Sequence, residues 1–207
     1  MGLWMFLFNH HQWEYSISNC SAKNLSEWYA EGTPNVPIGI LYSILGILAE
    51  IIYVPFVIAM LKPEFIQHSC YKFMFQLAVL DMIVLPFNSI IGGVQCALGA
   101  HFCTNPRFYY VVGSIGTTGW YTACMTCIIL AIDRFFEMTC SRAAQVLFHG
   151  KIMIFWLSIP IIYGFTTFFQ VPAVYNTKFL AYFFDPFAGT EGLQGMPQNT
   201  TSSFASS

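Results

Sequence analysis

Two acidic side chains lie inside long apolar segments of the sequence. Glu50 is the one charged residue of residues 37–61, and Asp81 is the one charged residue of residues 73–100. An acid near the centre of a membrane-spanning helix costs about 3 kcal/mol on insertion scales, so it usually faces the interior of a helix bundle and has a role. The pattern leaves three interpretations open: the acids share a proton, hold a cation with water, or bond to polar groups on another helix.

A third feature is the triplet Asp133-Arg134-Phe135, which follows the charge-free residues 108–132. An aspartate can hold a guanidinium in a charge-assisted pair, and breaking that pair frees Arg134 to cap a helix of a partner. The triplet is therefore typical of a two-state switch at a helix end. The alternative is an ordinary basic stop after a membrane span.

Long apolar helices must position these groups. A helix needs about 20 mostly apolar residues to cross the hydrocarbon core, and four segments meet that requirement. The sequence predicts an all-α, polytopic membrane protein. Its four transmembrane helices are predicted at residues 37–61, 73–97, 108–133 and 152–175.

The composition excludes several classes of function. Charged residues make up 9% of the 207 residues and apolar residues 56%. This is too few charged residues to cover the surface of a soluble domain. The formal charge of -2 provides no basic field for nucleic acid. Cys124 and Cys127 have a metal-type spacing, but no histidine lies near them, so we expect no metal and no cofactor. The five histidines lie outside the spans, and we predict that the protein is not an enzyme.

Basic residues and glycosylation sequons predict the orientation. Five basic residues lie in the two loops that follow the first and third spans, and three lie on the other side of the membrane, which favours a cytoplasmic location for those two loops. The acceptor asparagines Asn19, Asn24 and Asn199 then all fall outside the cell. We therefore expect residues 1–36 to be an extracellular segment, residues 37–177 a membrane domain, and residues 178–207 a disordered extracellular tail.

A ligand pocket is predicted on the face of the third span that carries Arg134. Counting back by 3.6 residues per turn places Cys127, Ala123, Trp120, Gly116 and Gly113 on this face. The candidate pocket residues are Gly113, Gly116, Thr117 and Trp120, since glycines leave room and an indole supplies an apolar wall. The alternative is that the glycines only allow close helix packing.

The triplet, Asp81 and Trp156 together resemble the first four helices of rhodopsin-like G-protein-coupled receptors. A set of short motifs is similar, more specifically, to the nematode serpentine receptors of class T. These motifs are Gly32-Thr33-Pro34, Tyr53-Val54-Pro55, Ser69-Cys70-Tyr71-Lys72, Asn88-Ser89-Ile90, Phe102-Cys103-Thr104-Asn105-Pro106, and Trp120 with Cys124 and Cys127.

The resemblance implies a seven-helix chemosensory receptor that binds a small chemical outside the cell and signals through a heterotrimeric G protein. It also implies a plasma-membrane location, in the ciliary membrane of sensory neurons. Because the sequence offers four spans, we expect a truncated portion of such a receptor, unable to signal alone.

Two positions depart from the rhodopsin-like pattern. The first span has Ala49 and Glu50 where an asparagine is usual, so a cation site at Asp81 is in doubt. The cysteine that opens the third helix normally pairs with one after helix four, and no cysteine follows Cys140. Cys103 is therefore expected to be free, to pair with Cys96 or Cys20, or to await a partner outside the chain.

Two other classes of protein remain as alternatives. A four-span scaffold would organise other membrane proteins, although such families keep both termini inside the cell. A channel or transporter subunit would use Glu50 and Asp81 as an ion path.

Overall fold

Four apolar regions of the chain contain helices that overlap the predicted spans. The computed structural model describes residues 7–8 and 20–190. The helices are α1 (Leu25–Glu31), α2 (Val36–Met60), α3 (Pro63–Ile66), α4 (Ser69–Leu85), α5 (Gly92–Leu98), α6 (Pro106–Thr139), α7 (Ser141–Phe148) and α8 (Ile152–Thr167). Short 3₁₀ turns cover Cys20–Ala22 and Phe102–Thr104.

Two of the long helices begin with the same local signal. The side chain of Asn35 accepts a hydrogen bond from the Ile38 N–H at the start of α2, and that of Asn105 accepts one from the Phe108 N–H at the start of α6. A proline follows in the first turn of each helix, where its missing N–H costs nothing. These starts are therefore encoded locally.

Between α4 and α5 the helix continues through one π-helical segment, Pro86–Ile91. Pro86 has no N–H to donate to the preceding turn, which favours this local widening. Residues Ser69–Leu98 thus form one candidate span of 30 residues, and it ends at Gly99, whose φ of 64° is left-handed.

Three helices of the described chain are long and apolar enough to cross a membrane, namely Val36–Met60, Ser69–Leu98 and Pro106–Thr139. A fourth span is counted only if α7 and α8, which are bent by 64° at their junction, are taken together. The structure is thus that of an all-α, polytopic membrane protein. Helix α8 ends at Thr167, before the predicted limit of 175, and Pro172 restrains the backbone that follows.

The segment after α8 folds into a β-hairpin. Strands β1 (Val174–Asn176) and β2 (Ala181–Phe183) pair in antiparallel register, with Tyr175 opposite Tyr182. The Asn176 side chain accepts hydrogen bonds from the backbone N–H groups of Lys178 and Phe179, which holds the turn. The expectation of a disordered tail from residue 178 is therefore corrected for residues 178–190. Residues 191–207 lie outside the described residues.

Each long helix packs on the next one along the chain. Helix α2 lies against α4 and α5, α4 lies against α6, and α6 lies against α8. Most apolar side chains of α2 are exposed, which suits a helix in contact with lipid.

Two buried clusters lie at opposite ends of this bundle. One joins α4, α6, α7 and α8 through Phe73, Ile129, Phe148 and Met153. The other joins Trp28, Phe102, Cys103, Tyr110, Val174 and Phe187. We call the segments around this second cluster, residues 20–35, 99–105 and 168–190, the cap.

Candidate functional site

The two intramembrane acids have different surroundings. The hydroxyl of Tyr53 on α2 donates a hydrogen bond of 2.7 Å to Oδ2 of Asp81 on α4. Glu50 has one buried carboxylate oxygen, Oε1, with no hydrogen-bond partner among the residues described. Of the interpretations left open, Asp81 fits the one in which an acid bonds to a polar group of another helix. Sequence reasoning gave Tyr53 no chemical role, although it lies one turn after Glu50 on the same helix.

The structure does not form the expected pair between Asp133 and Arg134. The guanidinium of Arg134 instead binds Oε2 of Glu137 at 2.6 Å, and Ser69 donates to the other oxygen of Glu137 at 3.3 Å. Neighbouring residues on a helix point about 100° apart, whereas residues three apart share a face. This geometry explains the change of partner, and the spacing of Arg134 and Glu137 was the signal that sequence reasoning missed.

Asp133 and Arg134 accordingly face different environments. Asp133 is fully buried, and neither carboxylate oxygen has a hydrogen-bond partner within the described part of the chain. The side chain of Arg134 is 46% exposed, and Phe135 is also exposed. The triplet therefore presents an arginine and an aromatic ring outward at the end of α6, above a buried acid.

The buried face of α6 differs from the predicted one. Its inward residues toward the end at Asp133 are Gly119, Thr122, Thr126, Ile129 and Asp133. Trp120 is 62% exposed, and Cys127 is exposed as well. Of the predicted stripe, Gly113 and Gly116 are buried, whereas Arg134, Cys127 and Trp120 are exposed, because α4 and α8 pack on the neighbouring face.

Other parts of the chain occupy the space beside the glycines of the predicted pocket. A methyl group on Gly113 would meet the carbonyl oxygen of Ala173, and one on Gly116 would meet the side-chain oxygen of Asn88. Thr117 accepts a hydrogen bond of 3.0 Å from the Ala173 N–H. The alternative of close packing therefore describes Gly113 and Gly116.

The structure contains a disulfide at Cys103, one of the alternatives that the sequence left open. Its partner is Cys20, so the bond ties the segment before α1 to the turn before α6. Cys96 is a buried free thiol. The indole Nε1 of Trp28 donates to the Cys20 carbonyl at 2.9 Å, which seats this ring beside the disulfide.

The cap contains a polar cavity of about 320 Å³ around a buried histidine. His101 stacks on Trp28 with ring centroids 4.7 Å apart, and its Nδ1 accepts a hydrogen bond from the Cys103 N–H at 3.2 Å. Burial lowers the pKa of His101 below its usual 6.5. Sequence reasoning placed His101 outside the spans and gave it no role, because nothing local shows that Trp28 covers it.

A second cavity of about 340 Å³ lies at the opposite end of the bundle. Gln67, His68, Ser69 and Glu137 line one side of it, and the α7 segment with Gln145 and Phe148 lines the other. It lies beside the ion pair of Arg134 and Glu137, so the residues at this end surround an indentation rather than a flat surface.

One sequon is visible in the described residues. Asn24 is exposed and precedes α1, where its backbone N–H donates to the Glu27 carboxylate at 3.3 Å. Asn19 and Asn199 lie outside the described residues.

Taken together, the apolar helices, the acids between them and the capped end define an integral, polytopic helical membrane protein. The family model described as serpentine type 7TM GPCR chemoreceptor Srt matches residues 3–204. The chain belongs to this family of serpentine chemoreceptors, which is a receptor family and not a family of enzymes.

A curated relative extends the comparison. The chain is similar to "Serpentine receptor class T-55" of Caenorhabditis elegans, with 23% identity over 178 residues. The match covers 84% of this chain and 49% of the relative, so the chain spans about half the length of that receptor. No solved structure matches the chain.

Proposed function

We propose that this chain forms the first four helices of a chemosensory G-protein-coupled receptor of the serpentine class T type. The receptor family in general implies a small-molecule ligand and a G protein. The observation that carries the proposal is the arrangement at the end of α6, where exposed Arg134 is held by Glu137 beside a cavity at the end of the bundle opposite the cap.

In this mechanism Arg134 is the contact for a heterotrimeric G protein. Its ion pair with Glu137 is exposed and therefore weak, so a partner that offers backbone carbonyls or a carboxylate can displace it. Asp133, buried beneath, and Phe135, beside it, position the helix end. We propose that signalling requires helices beyond the four described ones, so that this chain expressed alone does not signal.

An energy-transfer assay tests the contact in cells. The chain carries a luciferase inserted at Gly150, in the loop between α7 and α8, and G-protein α subunits carry the acceptor. We expect the energy transfer to the α subunit to fall at least about fivefold in Arg134→Gln, while Arg142→Gln on α7 leaves the energy transfer unchanged. Equal signals from the two variants, or a second-messenger response from the chain expressed alone, would contradict the proposal.

We propose further that the cap is extracellular, in the plasma membrane, with both termini outside the cell and with Asn19, Asn24 and Asn199 glycosylated. The cap disulfide supports this orientation, because disulfides persist in oxidising compartments. The five basic residues at the other ends of the helices support it as well.

Glycosidase treatment tests the orientation. We expect the chain from intact cells to lose mass on treatment, and Asn24→Gln to remove one part of that loss. A tag inserted at Gly150, in the loop between α7 and α8, should be inaccessible until the cells are permeabilised. A tag there that is labelled on intact cells would refute the orientation.

A further inference from the structure

The cap cavity holds a buried hydrogen-bond donor without an acceptor. His101 is 9% exposed, and its Nε2 has no hydrogen-bond partner in the described residues. Its Nδ1 accepts the hydrogen bond from the Cys103 N–H, so Nδ1 carries no proton. In a neutral imidazole the proton must then be on Nε2. The unpaired atom is therefore an N–H donor, and its missing partner is an acceptor oxygen.

The stacking on Trp28 fixes the direction of this donor. The two rings are within 14° of parallel, and the indole is itself held by its bond to the Cys20 carbonyl. A buried polar group left unpaired is unfavourable. An acceptor that enters the cavity can therefore bind this donor.

The charges around the cavity favour an anion. Lys23, Lys178 and Glu31 are its charged lining residues. Lys23 pairs with Glu31, which leaves Lys178 as the cation without a carboxylate partner among the lining residues. The Lys178 ammonium donates one hydrogen bond, of 2.7 Å, to the Gly189 carbonyl. An ammonium has three donors, so two remain for a ligand.

The size of the cavity restricts the ligand to a small molecule. A volume of 320 Å³ corresponds to about ten water molecules. Polar groups of Thr33, Asn176 and Thr190 also line it, so a compact polar molecule fits better than a long apolar one.

We propose that the cap cavity binds a small organic carboxylate, whose oxygens accept the hydrogen bond from Nε2–H of His101 and pair with the ammonium of Lys178. The site lies between the segment before α2, the turn before α6 and the β-hairpin, and not between the spanning helices. It rests on the proposed receptor function and gives that function a class of ligand.

Direct binding to the purified full chain in lipid nanodiscs tests this site, with benzoate as the probe and benzamide as the neutral molecule of the same shape. Ligand-detected NMR measures both affinities. We expect benzoate to bind at least about tenfold more tightly than benzamide, because the amide lacks the charge that pairs with Lys178.

Two variants locate the binding. His101→Phe keeps the stacked ring and removes the donor, and Lys178→Gln removes the exposed charge. Each should weaken benzoate binding by about tenfold, whereas Lys62→Gln, at the other end of α2, should have no effect. Loss of the Cys20–Cys103 disulfide would show that His101→Phe disturbs the cap. In that case the Lys178→Gln variant alone tests the site.

Three results would overturn the proposal. They are equal affinities for benzoate and benzamide, benzoate binding that survives Lys178→Gln, and absence of saturable binding up to about 10 mM. Since no G protein enters this experiment, its failure would leave the proposed receptor function standing, and failure of the energy-transfer assay would leave the binding site standing.

Discussion

The Tyr53 hydroxyl on α2 donates a 2.7 Å hydrogen bond to Asp81 on α4, which places an acid and its partner between two spanning helices. Neighbouring contacts extend this pattern. Ser89 donates to the Tyr42 carbonyl of α2 at 2.7 Å, and Gln76 donates to the Leu157 carbonyl of α8 at 3.1 Å. Side-chain hydrogen bonds thus join α4 and its π segment to helices on both sides, where lipid supplies no hydrophobic driving force.

Removing the Tyr53 hydroxyl should loosen the contact between α2 and α4. We expect Tyr53→Phe to lower the free energy of unfolding by about 1–2 kcal/mol, since it leaves Asp81 without this donor. Unfolding of the purified protein in detergent measures the change. Tyr121→Phe is the matched control, because no hydrogen bond of its hydroxyl is found in the described residues. Equal losses in both variants would show that the Asp81 contact has no energetic role.

The disulfide between Cys20 and Cys103 should be the main covalent support of the cap. The cysteines are 83 residues apart, so the bond removes a large loop entropy from the unfolded chain. We expect Cys103→Ser to cost about 2–4 kcal/mol, with Trp28 fluorescence shifting as its ring is exposed.

A comparison of variants sharpens this prediction. Cys20→Ser and the double variant should each lose the same amount as Cys103→Ser, because one bond is broken in all three. Cys140→Ser, at an exposed free thiol, should be neutral. Additive losses in the double variant would mean that the two cysteines act independently.

The stability of the cap should fall in weakly acidic solution. Burial lowers the pKa of His101, so the unfolded chain binds its proton more readily than the folded one. Stability from this group is complete above the usual pKa of 6.5 and is lost as the pH falls below it. The charged groups that act on the ring are Glu31, which favours protonation, and Lys23, which opposes it.

Unfolding curves between about pH 8 and pH 5 measure this effect. His101→Gln should flatten the decline, whereas His68→Gln, at the other end of the bundle, should retain it. A decline that is unchanged in His101→Gln would assign the pH dependence to other groups.

A methyl group on Gly116 should push α6 away from the π segment. We expect Gly116→Ala to cost about 1–3 kcal/mol, because the new Cβ meets the side chain of Asn88. Asn88→Ala removes every atom in that contact, so the double variant should recover part of the loss. Unfolding in detergent gives the free energy of unfolding of the original chain, the two single variants and the double variant. A loss in the double variant equal to the sum of the two single losses would exclude the contact.

Local sequence determined much of the architecture. The lengths of the apolar segments predicted where the long helices lie, since a span requires about 20 apolar residues. Asn35 and Asn105, each with a proline in the next turn, marked two helix starts that depend only on neighbouring residues. The motifs that resemble class T receptors also lie in short stretches, so the family was accessible without any knowledge of packing.

The rotation of α6 about its axis could not be predicted in this way. Apolar residues surround this helix on all sides, so its sequence carries little information about which side faces its neighbours. Only the packing of α4 and α8 placed Asp133 inside and Trp120 outside. Gly113 and Gly116 do face inward, and the space beside them is taken by Ala173 and Asn88, which arrive from distant parts of the chain.

Tertiary structure alone also decided the composition of the cap. Several cysteines could have paired with Cys103, and the spacing along the chain does not choose among them. The choice of Cys20 follows from the position of α1, which lays Trp28 over His101 and buries both. Apolar length is a property of one segment and can be read from it, whereas the pairing of segments depends on which surfaces meet in three dimensions.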